Sequence, residues 1–430
     1  MAADAVYWLE EAPPETAAEA LACEAEADVA IVGGGYTGLW TAITLKAREP
    51  SLHVVVLEAD VCGRGPSGRN GGFLHGYWSR LPLLRERLGD TGALQVARAA
   101  EGAIEAVRGL GDDVWLREGG VLKVSAAPAQ DAGVDRVVRA ARELGVEEVA
   151  VPLDREQVAE RIRSPLFRRG VFEPHGATVQ PARLVRALRR AAVNAGVQLH
   201  EHSRVRRVDE GRVETDRGTV RARDIVVANS AWRPLQRRLT IMRSACVVTE
   251  PDALGDVGWT GGEALVDGRM FVHYFRTTPD GRVLMGSGAG STERAEAGLR
   301  LLLPAVAARI THRWDGPIDV SADQLPFFGS RGRVHYGTGY SGSGVGPSWL
   351  GGQILASLVL GADDEWARLP LVHRNVPKLP PKPLKRLGSA PIRAAAIAVE
   401  DAEQNGDRSA AALRAVAALP RVLGIPLGRR

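Results

Sequence analysis

Between Asp28 and Glu58 the chain carries a unit with few alternative folds. The apolar run Val29-Ala30-Ile31-Val32 breaks into Gly33-Gly34-Gly35-Tyr36-Thr37-Gly38, and a second run, Val54-Val55-Val56-Leu57, ends in Glu58. The order is strand, G-x-G-x-x-G turn, helix, strand, acid. Each part has one task in holding a dinucleotide. Gly33 permits the tight turn, Gly35 lets a pyrophosphate approach the backbone, and Gly38 lets the helix close on the sheet. The helix N-terminus, with Tyr36 and Thr37, faces the phosphates, and Glu58, followed by Ala59, meets the ribose hydroxyls. The glycine turn alone says little; the strand before it and the acid twenty residues after Gly38 give it meaning.

The remaining composition narrows the class. A chain of 430 residues predicts two or three domains, and 45% hydrophobic content suffices for full cores. No apolar stretch is long enough to span a bilayer. The acidic, alanine-rich start does not read as a secretory signal. Cys23, Cys62 and Cys246 lack metal-ligand spacing, so no metal is expected and a reducing cytoplasm is. The net charge is only +4, with basic residues scattered among acids, which argues against a nucleic-acid partner.

The Rossmann-like pieces recur along the chain. Residues 63–73 are too dense in glycine and proline for a regular element. Pro181 opens a helix that stops at Gly196, and Asp224–Asn229 reads as a buried strand. Thr278-Pro279-Asp280-Gly281 reads as a hairpin turn, Leu299–Ile310 as a helix, Val376–Pro383 as an extended strap and Ala390–Val399 as a helix. A late strand, Arg333–Gly337, leads through Thr338–Gly346 to a helix from Pro347 to Leu360. The expected fold is α/β: a discontinuous Rossmann-like nucleotide domain (27–90, 151–240, 315–370) and an interleaved α+β substrate domain (91–150, 241–314) with a mainly antiparallel sheet. An N-terminal extension (1–26) and a C-terminal strap with helices (371–430) complete it.

Three segments give the chain a resemblance to a known family: Ile31–Gly38 with Glu58, Ser67-Gly68-Arg69-Asn70-Gly71-Gly72, and Gly339-Tyr340-Ser341-Gly342-Ser343-Gly344-Val345. Over roughly residues 5–400 it resembles the FAD-dependent amine and amino-acid oxidoreductases of the D-amino-acid oxidase, glycine oxidase and sarcosine oxidase superfamily. The branch is the one that includes γ-glutamylputrescine oxidases. The resemblance implies FAD, with Ser67 to Phe73 wrapping the pyrophosphate and passing along the isoalloxazine. It implies that Gly339, Gly342, Ser343, Gly344 and Val345 lie at the pyrimidine side, with the helix from Pro347 pointing at flavin N1 and O2. Val205 matches a position whose backbone contacts the adenine; Ala228 and Trp232 match the strand end beside the cofactor. Gly337–Gly342 also spells G-x-G-x-x-G, but no strand ending in an acid follows it, so no second nucleotide site is expected. Relatives that bind flavin covalently use a cysteine or a histidine with no counterpart here, so FAD is expected to be non-covalent. The lysine that some relatives use toward oxygen has no counterpart in Arg282–Gly286.

The chemistry implied is oxidation of a C–N bond in a small amine or amino acid to an imine, by hydride transfer to flavin N5, then hydrolysis to a carbonyl product. It needs no catalytic triad. Substrate-pocket candidates are His75, Tyr340, and Tyr274 with Arg276, placed on one strand face by alternation and suited to an anionic group. Oxygen or another acceptor would take the electrons. The alternatives are a flavoprotein monooxygenase or hydroxy-acid dehydrogenase, or a non-catalytic nucleotide-binding subunit that docks a membrane through the basic tail Lys378–Arg393.

Overall fold

The computed structural model describes residues 5–111, 113–229 and 232–422. The ends of the expected N-terminal extension and C-terminal region, and the side chains of 382–388 in the basic tail, lie outside the described residues.

The first sheet orders its strands Phe327–Arg331, Val334–Thr338, Thr219–Val227, Glu24–Val32, Val54–Leu57, Gln198–His200. All neighbours on this path are parallel except the edge pair Phe327–Arg331 with Val334–Thr338. Strands buried on both faces need apolar residues throughout, and Val54–Leu57 is buried at every position. From Glu24–Val32 the chain builds outward to Val54–Leu57 and Gln198–His200, then returns to Thr219–Val227 on the other side. The order therefore reverses between Glu24–Val32 and Thr219–Val227, the place where open α/β sheets leave a ligand crevice. The helices Tyr36–Arg48 and Pro347–Leu360 pack on each other over this sheet, and a Cβ on Gly352 would stand 2.7 Å from Trp40.

The second sheet runs Ile310–Ser321, Leu239–Thr249, Val283–Ser287, His273–Thr277, Ala264–Asp267, Val121–Ser125, Arg169–Glu173, Val151–Leu153. It is antiparallel except where Ala264–Asp267 pairs with Val121–Ser125. One face carries an apolar core with the helix Thr292–Leu302, including Val247, Phe275, Met285 and Leu299. The opposite face carries Ser244 and Tyr274 toward the first sheet's crevice. Sheet membership cuts across the expected segments: Val151–Leu153, Arg169–Glu173 and all of Ile310–Ser321 belong to the second sheet, although 151–173 and 315–321 fall in the expected nucleotide domain.

Several element bounds differ from the sequence reading, three of them with a clear local cause. The helix expected over Leu299–Ile310 spans Thr292–Leu302, because the Ser291 side chain accepts from the Arg294 N–H at 3.4 Å and Pro304 prevents continuation. Ile310 instead opens a long strand. The helix expected over Ala390–Val399 runs from Lys382 to Gln404 and contains Pro391, shortening the strap before it.

Candidate active site

Gly33 leaves the first strand at φ +114°, and a Cβ there would stand 3.0 Å from the Ala228 carbonyl at the end of the neighbouring strand. A Cβ on Gly38 would stand 2.0 Å from the Gly33 carbonyl, so the turn and the helix close only with glycine at that position. The Glu58 carboxylate accepts from the Gly34 N–H at 2.7 Å and the Asp60 N–H at 3.0 Å. Burial raises its pKa above the usual carboxylate range.

The Ser67–Gly72 loop folds against this turn. The Ser67 hydroxyl accepts from the Tyr36 N–H at the helix start, at 3.1 Å. The Asn70 amide donates to the Ser67 carbonyl at 2.9 Å and its oxygen accepts from Gly72 N–H at 2.8 Å, closing a rigid turn. Two remote indoles hold the loop from outside: Trp8 donates to the Asn70 carbonyl at 2.8 Å, and Trp314 to the Arg69 carbonyl at 2.9 Å. Nothing local in the sequence signals these contacts, since Trp8 sits in a short N-terminal helix and Trp314 in the second sheet.

A cavity of about 800 Å³ runs from the glycine turn across this loop to the second sheet. Of the residues expected at a cofactor, Gly33, Gly35, Tyr36, Thr37, Glu58, Ser67, Arg69, Asn70, Gly71, Phe73, Ala228, Gly342, Gly344 and Val345 line it. Gly38, Ala59, Gly68, Gly72, Val205, Trp232, Gly339 and Ser343 do not line it. Val205 and Trp232 pack in apolar clusters, with the Trp232 ring 5.7 Å from Tyr336. The early and late glycine turns open on the same cavity. The helix Pro347–Leu360 begins there too, with Ser348 on the cavity wall.

His75, Tyr274 and Tyr340 all line the cavity. The Tyr340 hydroxyl is bonded to Thr37 at 2.9 Å, and burial pushes its pKa well up, holding the phenol neutral. The Tyr274 ring lies between two glycines: a Cβ on Gly71 or Gly286 would stand 2.7 or 2.0 Å from it. Its hydroxyl is 2.8 Å from Ser244 Oγ and 3.2 Å from Cys246 Sγ. Arg276 follows Tyr274 by two residues, but it does not line the cavity. Its guanidinium is buried behind the Ser67–Gly72 loop and donates to the carbonyls of Gly72 (3.3 Å), Val179 (2.5 Å) and Thr277 (3.1 Å). Burial without a carboxylate partner lowers its pKa to about 9. The expected Tyr274–Arg276 anion clamp is therefore not assembled; Arg276 ties the loop to the second sheet instead.

Sequence reasoning missed Met242, Val266 and Met270, which face the cavity together with Phe271 and Val272 of the candidate strand Phe271–Arg276. Alternation in Leu239–Thr249 signals a strand, but only its pairing with Ile310–Ser321 and Val283–Ser287 says which face meets the cavity. Asp319 is a further lining residue whose carboxylate accepts from the Thr338 hydroxyl (2.7 Å) and Gly339 N–H (2.6 Å), holding the late turn. Cys62 does not line the cavity; it packs beneath Gly34, whose Cβ would stand 2.5 Å from its sulfur. Among the described residues no cluster of His, Cys, Asp and Glu is arranged to hold a metal, and no helix is long and apolar enough to cross a membrane.

A switch-point crevice, and a cavity that reaches both the glycine turn and the start of the helix Tyr36–Arg48, fit a dinucleotide. The donor set fits FAD: backbone glycines, the Ser67 hydroxyl and Arg69 at one end, an apolar slot at the other. The FAD dependent oxidoreductase (DAO) family profile matches residues 28–358, and the chain belongs to that family. It is 30% identical over 375 residues to a probable oxidoreductase, OrdL, of Rhizobium meliloti, covering 79% of this chain and 84% of the relative. It is 28% identical over 388 residues to the γ-glutamylputrescine oxidoreductase of Escherichia coli, covering 84% and 89%. The fold is similar to glycine oxidase from Geobacillus kaustophilus, with a TM-score of 0.67 at 22% identity over 82% of this chain and 100% of that one. The protein is an FAD-dependent oxidoreductase.

Proposed function

We propose that the protein oxidises the C–N bond of a small amine with an apolar stem to an imine, which water then converts to a carbonyl compound and a released amine or ammonia. One observation carries the reading. The cavity on which the glycine turns open is also walled by Met242, Met270, Phe271 and Val272, beside the polar side chains of His75, Tyr274 and Tyr340.

When bound, FAD supplies the two-electron acceptor for a hydride from the carbon bearing nitrogen. The residues proposed to hold it are those at the glycine turn, Glu58, Ser67 to Phe73, Ala228 and the late loop to Val345. The start of the helix Pro347–Leu360 favours negative charge near the late loop by about 0.3–1 kcal/mol, more when buried. The apolar wall disfavours the ammonium form of the substrate and so favours the free amine needed for oxidation. Tyr274 and Tyr340 orient the nitrogen, and Tyr340, kept neutral by its burial, does so without taking its proton. With Arg276 turned away and Arg69 the sole arginine among the described lining residues, an amine without a carboxylate beside the reacting carbon is favoured. The electrons pass finally to oxygen or another acceptor, and the three unpaired cysteines suit a reducing cytoplasm.

Anaerobic mixing of the holoenzyme with alkylamines, diamines and amino acids tests the proposal. Bleaching of the visible flavin band by alkylamines ahead of amino acids is expected. Bleaching by NADPH alone, with no response to any amine, would replace this reading with a monooxygenase.

A further inference from the structure

The C-terminal helix Lys382–Gln404 lies beyond the segment matched by the family profile, yet it reaches the chamber wall. That wall is the connection between two strands, Gly268 to Val272, of which Met270, Phe271 and Val272 line the cavity. A connection of this kind leaves backbone N–H groups outside the sheet ladder, and buried ones need partners. The N–H groups of Met270 and Phe271 find the same one, the carboxylate of Glu400, with Phe271 N at 3.4 Å from Oε2 and Met270 N on Oε1. Glu400 is only 4% exposed.

The neighbouring residues of the helix grip the same connection. Asp401 accepts from Arg269 at 3.2 Å and from Arg294 at 2.6 Å. Gln404 accepts from Arg269 at 3.1 Å and donates to the Ala126 carbonyl at 2.8 Å. Ala396 and Ile397 pack with Met242, Met270 and Phe271, and Ala417 of the last helix joins them. A helix that only covered apolar surface would need the packing alone. A buried carboxylate is costly unless its hydrogen bonds are satisfied, and here two of them come from the backbone of the pocket wall. Helix and wall are therefore ordered together.

We propose that the helix Lys382–Gln404 braces the outer wall of the substrate chamber, with Glu400 as the positioning residue that fixes Met270 and Phe271 and thereby limits the size of amine admitted. The brace rests on geometry alone; its role in selecting amines rests on the proposed function.

The test uses full-length holoenzyme carrying Glu400→Ala, Glu400→Gln or Gln404→Ala. Hydrogen exchange across residues 268–274 is compared with residues 29–32 of the first sheet as reference. Acrylamide quenching of bound-FAD fluorescence reports access to the chamber. In Glu400→Ala, exchange at Met270 and Phe271 rises roughly tenfold or more, quenching increases, and the reference strand is unchanged. Glu400→Gln, which keeps an acceptor oxygen, restores part of the protection. KM values for a series of primary alkylamines lose their dependence on chain length while kcat holds. Wild-type exchange and quenching in Glu400→Ala overturn the brace. Should that variant not fold, Gln404→Ala has to show the same pattern more weakly, and its absence overturns the brace equally. Altered exchange with unchanged KM ratios overturns the role in selection. Altered exchange and quenching with no amine accepted as substrate supports the brace and separates it from a failure of the substrate assignment.

Discussion

Removing one indole N–H from outside the Ser67–Gly72 loop should weaken FAD binding although neither Trp8 nor Trp314 lines the cavity. Both side chains are buried, at 0% and 3% exposure, and each donates to one carbonyl of adjacent residues, Asn70 at 2.8 Å and Arg69 at 2.9 Å. Phenylalanine keeps much of the ring but leaves that part-buried carbonyl without its indole donor. Such a group costs about 1–3 kcal/mol. If the loop can recover its acceptor only by leaving the flavin-binding geometry, FAD affinity falls by about 5- to 150-fold. The two rings stand 6.2 Å apart, edge to face, and hold the same turn, so the double variant should lose less than the sum of the singles. Titrating apo-protein with FAD while following flavin fluorescence measures the affinity. Trp115→Phe, which alters a ring 6.5 Å from Trp8, controls for lost packing. FAD binding within about twofold of wild type in both Trp8→Phe and Trp314→Phe would refute the reasoning, because 0.4 kcal/mol or so is below the cost of an orphaned carbonyl.

Other consequences follow from the same geometry. Gly71→Ala should stop the Tyr274 ring from seating, since the added Cβ stands 2.7 Å from it; flavin content after purification measures the loss. Tyr274→Phe keeps the ring but removes the hydroxyl shared with Ser244 and Cys246, and kcat/KM should fall roughly tenfold with FAD still bound, as steady-state kinetics would show. Glu173 is buried with one oxygen on the Ser79 N–H at 3.2 Å, and desolvation raises its pKa from 4.5 to about 8. The folded state then holds a proton that the unfolded chain releases, so its contribution is complete below pH 4.5 and is lost as pH rises toward about 8. The loss has an upper limit of roughly 5 kcal/mol. Denaturant melts of Glu173→Gln should show a flatter stability profile across that range; an unchanged slope would contradict the assignment.

How much could be read in advance followed the range of the interactions. Ile31–Gly38 with Glu58 was legible because its parts lie close in sequence and each has a steric reason, such as Gly38 against the Gly33 carbonyl. The late helix was legible from Pro347 and Gly361, which bound it in the structure too. Alternation correctly separated Tyr274 from Phe275, one facing the cavity and the other the apolar core. It could not tell that the strand outruns the cavity, so that Arg276 meets the Gly72 and Val179 carbonyls instead of a ligand. The indole contacts of Trp8 and Trp314, and the grip of Glu400 on Met270, span 62 to 245 residues of sequence and leave no local mark.

The central claim is that this cavity joins FAD to an amine chamber. Anaerobic mixing of purified, flavin-loaded protein with the amine and amino-acid series, followed by its visible absorbance, tests it most directly. The flavin band should bleach with apolar-stemmed amines and return with an electron acceptor. A protein that takes up no flavin, or whose flavin responds to none of these compounds, would contradict it.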